Sequence, residues 1–424
     1  MRAEGILRMR SRGTDHDPEN RWRAVWWIAA AQIGAMSTWF SAAAVAPSLA
    51  RDWHLTPAEV ALLTVAVQLG FVTGALVSAV SGIADIFSTR TVFVGSALAA
   101  AGANGLLVAT AGDLRGAVPL RFLLGVVLAG VYPTGMKLMT GWFKEGRGLA
   151  IGILVGALTL GAALPHLVAA IGLVGRLHWQ SVIVVTSLGA VASAAIVAWC
   201  VQRGPFEGPS ARLDLGWALR SFRDPAIRLA NFGYFGHMWE LYAMWTWIPT
   251  FLLASFHMSG STGGEAVGRS ASLAAAWVIG IGAVGCVVGG VVADRRGRTV
   301  TTAAAMALSG GSAVATGFLF GGAPAAVVGV ATVWGISVIA DSAQFSASVS
   351  ELAPPERVGS ALALQTALGF LLTAVSIQVL PVVLDGAGWR GAFTLLAVGP
   401  ALGVVAMLRL RARPEAARLA GGHR

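Results

Sequence analysis

The chain has 424 residues, of which 56% are hydrophobic and 12% are charged, and its mean hydropathy is +0.72. Soluble domains carry about 25% charged residues and cannot bury this much apolar surface, so the composition excludes an ordinary soluble fold. A net charge of +10 remains to be explained, and the two cysteines, Cys200 and Cys286, do not indicate a disulfide framework.

Apolar runs long enough to cross a bilayer recur along the chain. A hydrocarbon core of about 30 Å needs roughly 20 apolar residues in helical conformation. Twelve such runs lie at residues 23–50, 57–80, 91–111, 118–142, 149–173, 179–201, 227–256, 270–293, 299–321, 324–352, 358–384 and 389–408. We therefore predict an all-α membrane protein with twelve transmembrane helices.

Polar segments divide these runs into two sets of six. Residues 1–21 are mixed in charge and have no apolar core of their own, which predicts a cytoplasmic tail and not a cleaved signal peptide. Residues 202–226 form the longest polar interruption and are rich in Pro, Gly and Arg. We predict a first bundle at 22–201, a cytoplasmic linker at 202–226, a second bundle at 227–409 and a cytoplasmic tail at 410–424.

The basic residues are distributed unevenly between the two sides of the predicted topology. If the N-terminus is inside, 23 of the 30 Lys and Arg lie in cytoplasmic segments and five on the opposite side. Because cytoplasmic loops carry an excess of Lys and Arg, both termini are predicted to be cytoplasmic, in a plasma membrane. The positive charge then faces anionic lipid headgroups, and no nucleic acid partner is needed to explain it. We expect the protein to work as a monomer.

The two halves carry an internal repeat. Three residues recur at offsets of 209 or 210 positions, each at the same loop of its half: Asp85 as Asp294, Arg147 as Arg357, and Trp179 as Trp389. A shared offset at three loops indicates a duplicated bundle with pseudo-twofold symmetry.

The loop after the eighth run resembles the hallmark loop of the major facilitator superfamily, G-x-x-x-D-R-x-G-R. The matching positions in GGVVADRRGR are Gly290, Asp294, Arg295, Gly297 and Arg298. The resemblance implies a major facilitator fold of two six-helix bundles, and it implies that this loop works as a gating latch. The alternative is a solvated loop whose arginines only set the orientation.

Two further segments are similar to the same family. The loop after the second run, SGIADIFSTR, keeps Asp85 and Arg90 of the hallmark and lacks its glycines. The fourth run contains Arg121, Phe122 and Gly125, which resemble the R-F-x-x-G signature of the superfamily. We include Asp85 and Arg90 in the predicted gating loops.

Several ionisable residues fall inside predicted spans, where charge is costly and usually functional. Their shared feature is a position deep in an apolar run, and we predict that they handle a proton or the solute: Glu240, Asp341, Arg121, His237 and His166. A carboxylate held away from water favours its protonated form, which suits a proton carrier. The alternative is a set of fixed ion pairs or interhelical hydrogen bonds.

His237 and Glu240 are spaced i, i+3 and share a helix face, so we expect them to act together. Two such residues do not form a metal site, and we predict neither a metal nor a cofactor. Polar or aromatic residues near these charges are predicted to line the solute cavity: Gln32, Trp39, Trp239, Tyr242 and Gln344.

These features predict a secondary active transporter that moves a small polar or anionic solute by alternating access, coupled to protons. No phosphate-binding loop for direct ATP use is present, and no hydrolase motif indicates an enzyme. A drug/proton antiporter exporting apolar compounds is an alternative, although the segment around Gly156, Gly161 and Pro165 departs from the usual exporter pattern. A membrane sensor built on the same fold is a further alternative.

Overall fold

The computed structural model describes residues 20–81, 87–110, 114–143, 147–174, 178–207, 214–260 and 264–423, and these ranges contain helices and turns but no β-strand. The α-helices are α1 (Arg21–Met36), α2 (Ser41–Ala44), α3 (Ala46–Asp52), α4 (Pro57–Ser81), α5 (Thr89–Gly105), α6 (Leu114–Leu128), α7 (Tyr132–Thr140), α8 (Arg147–Val174), α9 (Gln180–Cys200), α10 (Leu215–Ser221), α11 (Pro225–Met258), α12 (Gly264–Gly280), α13 (Gly282–Arg296), α14 (Arg298–Phe318), α15 (Pro324–Ala340), α16 (Ser342–Leu352) and α17 (Val358–Arg411). Short 3-10 helices lie at Leu106–Thr110, Pro355–Arg357 and Pro414–Gly422.

The predicted all-α membrane fold is confirmed. Within the described ranges, eight helices are long and apolar enough to cross a membrane, and the last of them, Pro355–Arg411, contains two predicted runs. This helix bends at Gly388, whose φ of 63° lies in the left-handed region that favours glycine. The three remaining runs correspond to α1 with its continuation, to α11 and to α14, so the helices are compatible with twelve spans.

Successive runs alternate in direction and so define two faces. Arg21, Gly297 and Arg411 lie on one face, which we call the terminal face because both ends of the described chain are there. The opposite face, which contains Trp53 and Gly388, we call the distal face.

Two close helix crossings repeat the internal symmetry in three dimensions. A Cβ on Gly125 would clash with the carbonyl oxygen of Val67, and a Cβ on Gly335 would clash with that of Val278. The offsets of 210 and 211 residues match those of the sequence repeat. The same spans therefore pack backbone to backbone in each half, as small residues allow in membrane helices.

One pair of breaks in the spans follows the repeat, and a third has no counterpart in α11, which is continuous. The fourth span is interrupted between α6 and α7 at Ala129–Val131, and the tenth is interrupted between α15 and α16 at Asp341. The first span is interrupted at residues 37–40, between α1 and α2. Non-helical backbone at membrane depth is tolerated where protein buries it or where it borders a cavity, so these breaks direct attention to the interior.

The linker is attached to the second half on the terminal face. Asp214 accepts a hydrogen bond from the backbone N–H of Trp217 at 2.8 Å and so caps α10. The same carboxylate pairs with Arg357, and the backbone N–H of Asp214 donates to Ser360 at 2.9 Å. Of the repeated residues, Asp85 lies outside the described residues.

Candidate functional site

Glu240 lies in the interior of the second half, and its side chain is 1% exposed. Its two carboxylate oxygens accept hydrogen bonds from the Trp334 indole N–H at 2.7 Å and from the Ser309 hydroxyl at 2.8 Å. Because these residues belong to α11, α15 and α14, the carboxylate joins three helices. Burying a carboxylate is tolerated only when its oxygens are satisfied in this way.

His237 and Asp341 form a second buried acidic centre. His237 precedes Glu240 by about one turn of α11, and its Nδ1 lies 2.9 Å from Oδ1 of Asp341. Both side chains are 1% exposed. Asp341 Oδ1 has no aligned hydrogen bond among the described groups, and His237 Nε2 has none either, so the contact is one of proximity and charge. The pair therefore joins α11 to the residue between α15 and α16.

The position of Asp341 follows from the break in the tenth span. It is the residue between α15 and α16, and its side chain reaches His237 on α11. The next residue, Ser342, lines the cavity described below. Asp341 therefore lies directly behind a cavity wall.

A cavity of about 600 Å³ opens on the terminal face between the two halves. We call it the terminal cavity, and its polar lining includes Tyr132, Tyr234, Asp294, Arg298, Ser342 and Gln344. Glu240 and Asp341 are not among its lining residues. Of the predicted cavity residues, Gln344 lies in the wall, where it accepts a hydrogen bond from Arg298 at 2.6 Å.

Aromatic side chains from both halves meet at the inner end of this cavity. We call the cluster of Trp39, Phe40, Phe71, Tyr242, Trp245 and Phe370 the aromatic gate. Ring centroids across the two halves are 4.6 Å apart for Phe71 and Phe370, and 5.8 Å apart for Trp39 and Tyr242. Such distances are those of packed aromatic pairs.

The gate separates the terminal cavity from a second cavity of about 630 Å³ on the distal face. Along α11, Tyr234 lines the terminal cavity, Tyr242 and Trp245 belong to the gate, and Pro249 and Leu253 line the distal cavity. The order of these residues on one helix places the aromatic cluster between the two cavities.

Arg121 is buried in the first half, where it is 1% exposed. Its guanidinium donates to five neutral oxygens: those of Leu63 O, Thr38 O, Ser41 Oγ, Asn104 Oδ1 and Trp39 O. The described partners of Glu240 and Asp341 all belong to the second half. The structure thus places Arg121 apart from the two acids with which sequence reasoning grouped it.

The remaining predicted residues have diverse surroundings. Gln32 and His166 are fully buried, and neither their amide atoms nor their ring nitrogens have a hydrogen-bond partner among the described residues. The oxygen of Gln32 lies against Gly135. Trp239 points toward α17, where its indole N–H donates to the carbonyl of Leu395 at 3.0 Å.

The loop residues divide into a paired arginine and exposed neighbours. Arg298 donates to both oxygens of Glu351, at distances of 2.6 to 3.0 Å. Asp294 is 65% exposed at its side chain and lies 3.8 Å from Arg298. Gly297 has a φ of 94°, which an L side chain rarely adopts, and so it is required for the sharp turn between α13 and α14. Arg295 is exposed and Gly290 has open space beside it.

The first copy of the loop behaves differently. Arg90 donates to the carbonyl of Ala198, at the end of α9, and so remains within the first half. Asp85 lies outside the described residues, so its role as a gating residue stays a prediction.

Sequence reasoning missed four residues that the structure brings into these networks: Ser309, Trp334, Glu351 and Asn104. Glu351 carried a signal, since it is an acid at the terminal-face end of a predicted span. Ser309, Trp334 and Asn104 carried none, because a single polar or aromatic residue in an apolar run is common.

An all-α membrane fold with two related halves and a cavity on each face is that of a multi-pass membrane transporter. The sequence profile described as Major Facilitator Superfamily matches residues 27–377. The chain belongs to this superfamily.

Individual relatives agree with this assignment. The chain is 26% identical to a gallate transporter from Pseudomonas putida over 323 residues, which are 68% of this chain and 69% of that protein. Its fold is similar to crystal structures of a bacterial homologue of the human lysosomal transporter Spinster. The inward-facing, unoccupied form gives a TM-score of 0.70 at 15% identity and covers 94% of this chain and 100% of that one. The inward-facing, occupied form gives 0.68 at 13% identity and covers 93% and 98%.

Proposed function

We propose that the chain is a secondary carrier that couples the movement of a small anionic or polar solute to protons. The observation that carries this proposal is the buried His237–Asp341 pair, placed directly behind the wall of the terminal cavity. A titratable pair at this depth can take up a proton from one side and release it to the other as access alternates.

The terminal cavity supports the solute part of the proposal. All three tyrosines of the chain lie on the route, with Tyr132 and Tyr234 in the cavity wall and Tyr242 in the gate. Their hydroxyl groups, together with the amide of Gln344, can hydrogen-bond carboxylate or hydroxyl groups of a small solute. The similarity to a gallate transporter favours a small aromatic carboxylate.

The break at Asp341 supports a mechanism for coupling. When the carboxylate is ionised and His237 is protonated, the pair attracts across α11 and α16. When the pair gains or loses a proton, one of the two charges disappears and this attraction weakens. The end of the tenth span that carries Ser342 and Gln344 is then free to move. The proton on the pair thereby biases which face the solute can reach.

The distribution of basic residues supports the orientation. Cytoplasmic termini would make the terminal face the inner one, so that the terminal cavity opens to the cytoplasm. The solute would then be released or collected there, and the aromatic gate would close the outer side.

Reconstituted vesicles test the proposal. An imposed pH gradient should drive uptake of gallate or another labelled hydroxybenzoate by the wild-type protein, whereas Asp341→Asn and His237→Asn should lose gradient-driven uptake by about tenfold or more. Asp385→Asn, which removes an exposed carboxylate far from the pair, should transport normally. Absence of gradient-driven flux for every polar solute tried would overturn the proposal.

A second candidate is export of apolar compounds. It is favoured by the apolar part of the cavity wall, which includes Met136, Val291 and Leu362, and by the aromatic gate. In the same vesicles, proton-driven movement of an apolar cation and not of organic anions would select this candidate. Binding without flux of either kind would select a sensor.

A further inference from the structure

The first span is not continuous where it meets the gate. Residues 37–40 form turns between α1 and α2, and this segment contains Trp39 and Phe40. Both rings cross the interface: Trp39 contacts Phe370 at 5.6 Å and Phe40 contacts Trp245 at 5.6 Å between centroids. The distal closure of the route therefore depends on a segment without a complete set of helical hydrogen bonds.

Breaking a helix leaves backbone carbonyl groups without their usual N–H partners, and burial then makes each one costly. Arg121 supplies a donor to the carbonyl of Trp39, and it adds one to the carbonyl of Thr38, which also accepts from the Ser41 hydroxyl at 2.9 Å. Its Nη1 donates to the carbonyl of Thr38 at 3.2 Å and its Nη2 to the carbonyl of Trp39 at 2.6 Å. The guanidinium thus bonds directly to the backbone that carries the gate ring.

The other contacts of Arg121 anchor it to neighbouring helices. Nε donates to the carbonyl of Leu63 on α4, and Nη1 also donates to Ser41 and to Asn104 on α5. Asn104 is fixed in turn, because its amide donates to the carbonyl of Ile183 on α9 at 3.1 Å. The broken segment is thereby tied to the first half as a rigid body.

We propose that Arg121 is a positioning residue that holds residues 38–41 so that Trp39 and Phe40 complete the aromatic gate. It acts on transport through the backbone of the first span and does not touch the solute or the proton. Only the effect of this role on transport rests on the proposed carrier function, since the geometry of the gate can be measured without a solute.

A planar guanidinium presents five N–H donors in a fixed fork, which the ammonium group of lysine cannot reproduce. Lysine at this position keeps the positive charge and loses the simultaneous contacts to Thr38, Trp39 and Leu63. The exchange of arginine for lysine therefore separates a backbone-holding role from a role that needs only charge.

The native Cys286 reports on the gate because it lines the terminal cavity, on the terminal side of the gate. With Cys200 replaced by serine, it is the one thiol of the chain. Its thiol is buried, so a membrane-impermeant methanethiosulfonate added to right-side-out or inside-out vesicles labels it slowly from the terminal face, and the wild-type rate is the reference for each variant. From the distal face the reagent must pass Trp39 and Phe40.

In full-length protein, Arg121→Gln and Arg121→Lys should both raise the rate of distal labelling by about tenfold, with little change from the terminal face. The control Arg115→Gln, an exposed arginine on the same helix, should leave both rates unchanged. The proposal would be overturned if folded Arg121→Gln were labelled from the distal face at the wild-type rate. It would also be overturned if Arg121→Lys were labelled at the wild-type rate.

Fast labelling of the buried Cys286 from both faces would show that the glutamine variant does not fold. Ser41→Ala then serves as the second variant, since it removes a single acceptor of Arg121 and should raise distal labelling by about twofold to threefold. An unchanged rate there also rejects the positioning role. Failure of the wild-type protein to transport any solute, while distal labelling of the variants follows these expectations, would reject the carrier function and leave the gate assignment intact.

Discussion

Arg298 donates three hydrogen bonds to the carboxylate of Glu351. Its Nε lies 2.9 and 3.0 Å from the two oxygens, and its Nη2 lies 2.6 Å from Oε1. The pair joins the start of α14 to the end of α16, and both residues line the terminal cavity. Because the pair ties two helices of the second half together at the cavity mouth, we predict that it contributes to the balance between the two states.

Breaking this pair should shift that balance. Glu351→Gln removes the charge and leaves Arg298 partly unpaired, which should change the relative energy of the two states by roughly 1 to 2 kcal/mol. Labelling of Cys286 from the terminal face measures the shift, because the rate follows the population of the open form. The matched control is Glu356→Gln, which removes an exposed carboxylate a few residues further along the chain. An equal shift in this control would show that the pairing of Glu351 with Arg298 does not set the balance.

The C-terminal 3-10 segment Pro414–Gly422 docks beside the same pair. The backbone N–H of Ala420 donates to Glu351 at 2.9 Å, and Arg418 donates to the carbonyl of Leu352 at 3.0 Å. Ala416 is fully buried under this segment and Ala417 is exposed. Ala416→Asn should release the segment, whereas Ala417→Asn should not, and limited proteolysis distinguishes them. Equal protection of the two variants would contradict the docked arrangement.

Glu240 should matter for coupling more than for exchange. Glu240→Gln keeps the size of the side chain and removes its charge, so solute counterflow should remain within about twofold while gradient-driven accumulation falls by about tenfold. Parallel counterflow and accumulation assays in one vesicle preparation check this. Full activity in both would place Glu240 among purely structural groups, in line with its hydrogen bonds to Trp334 and Ser309.

The repeated helix crossings predict matched losses of stability. Gly125→Ala and Gly335→Ala each insert a Cβ against a carbonyl oxygen, and each should destabilise the fold by about 1 to 3 kcal/mol. The controls Gly102→Ala and Gly311→Ala each add a Cβ that would have no neighbouring group within 4 Å. Their melting temperatures should stay near that of the wild type. Similar melting of all four variants would rule out close packing at these crossings.

Acid should release the linker. The backbone N–H of Trp217 lowers the pKa of the Asp214 carboxyl below its ordinary value of 3.8, and the charge of Arg357 lowers it further. Because the pKa in the folded state is depressed, the stabilisation is present above the ordinary value and is lost as pH falls through the lower, folded one. Protease sensitivity of residues near 214 should therefore rise only in strong acid, and Asp214→Asn should show it at neutral pH. A linker equally protected in this variant would argue against the capping role.

Much of the fold was predictable because the bilayer imposes strong rules. The apolar runs, the polar linker and the repeated residues predicted a duplicated helical membrane protein, and the close crossings of Gly125 and Gly335 confirm the duplication. The loop motif predicted the superfamily. The position of the break at Asp341 was not predictable, because neither Gly nor Pro lies beside it and the surrounding sequence is compatible with a helix.

The sequence predicted which residues belong to the site, but it did not predict which of them contact each other. Sequence reasoning identified Glu240, His237 and Asp341 because ionisable groups are rare in spans, and the structure brings His237 to Asp341. It grouped Arg121 with these acids, whereas the structure surrounds Arg121 with neutral oxygens of the first half. Spacing along one helix fixes which residues share a face, and it carries no information on which other helix packs there.

The sequence by itself determined that the chain spans a membrane, that its halves are related and that a few charges lie inside, since these follow from hydropathy, spacing and the cost of burying charge. Tertiary structure alone decided which groups pair, that Trp39 and Phe370 close the route, and that Arg121 holds the first span. The reason is physical: these contacts join residues from different helices, and helix packing is set by the sum of many weak contacts distributed over both halves.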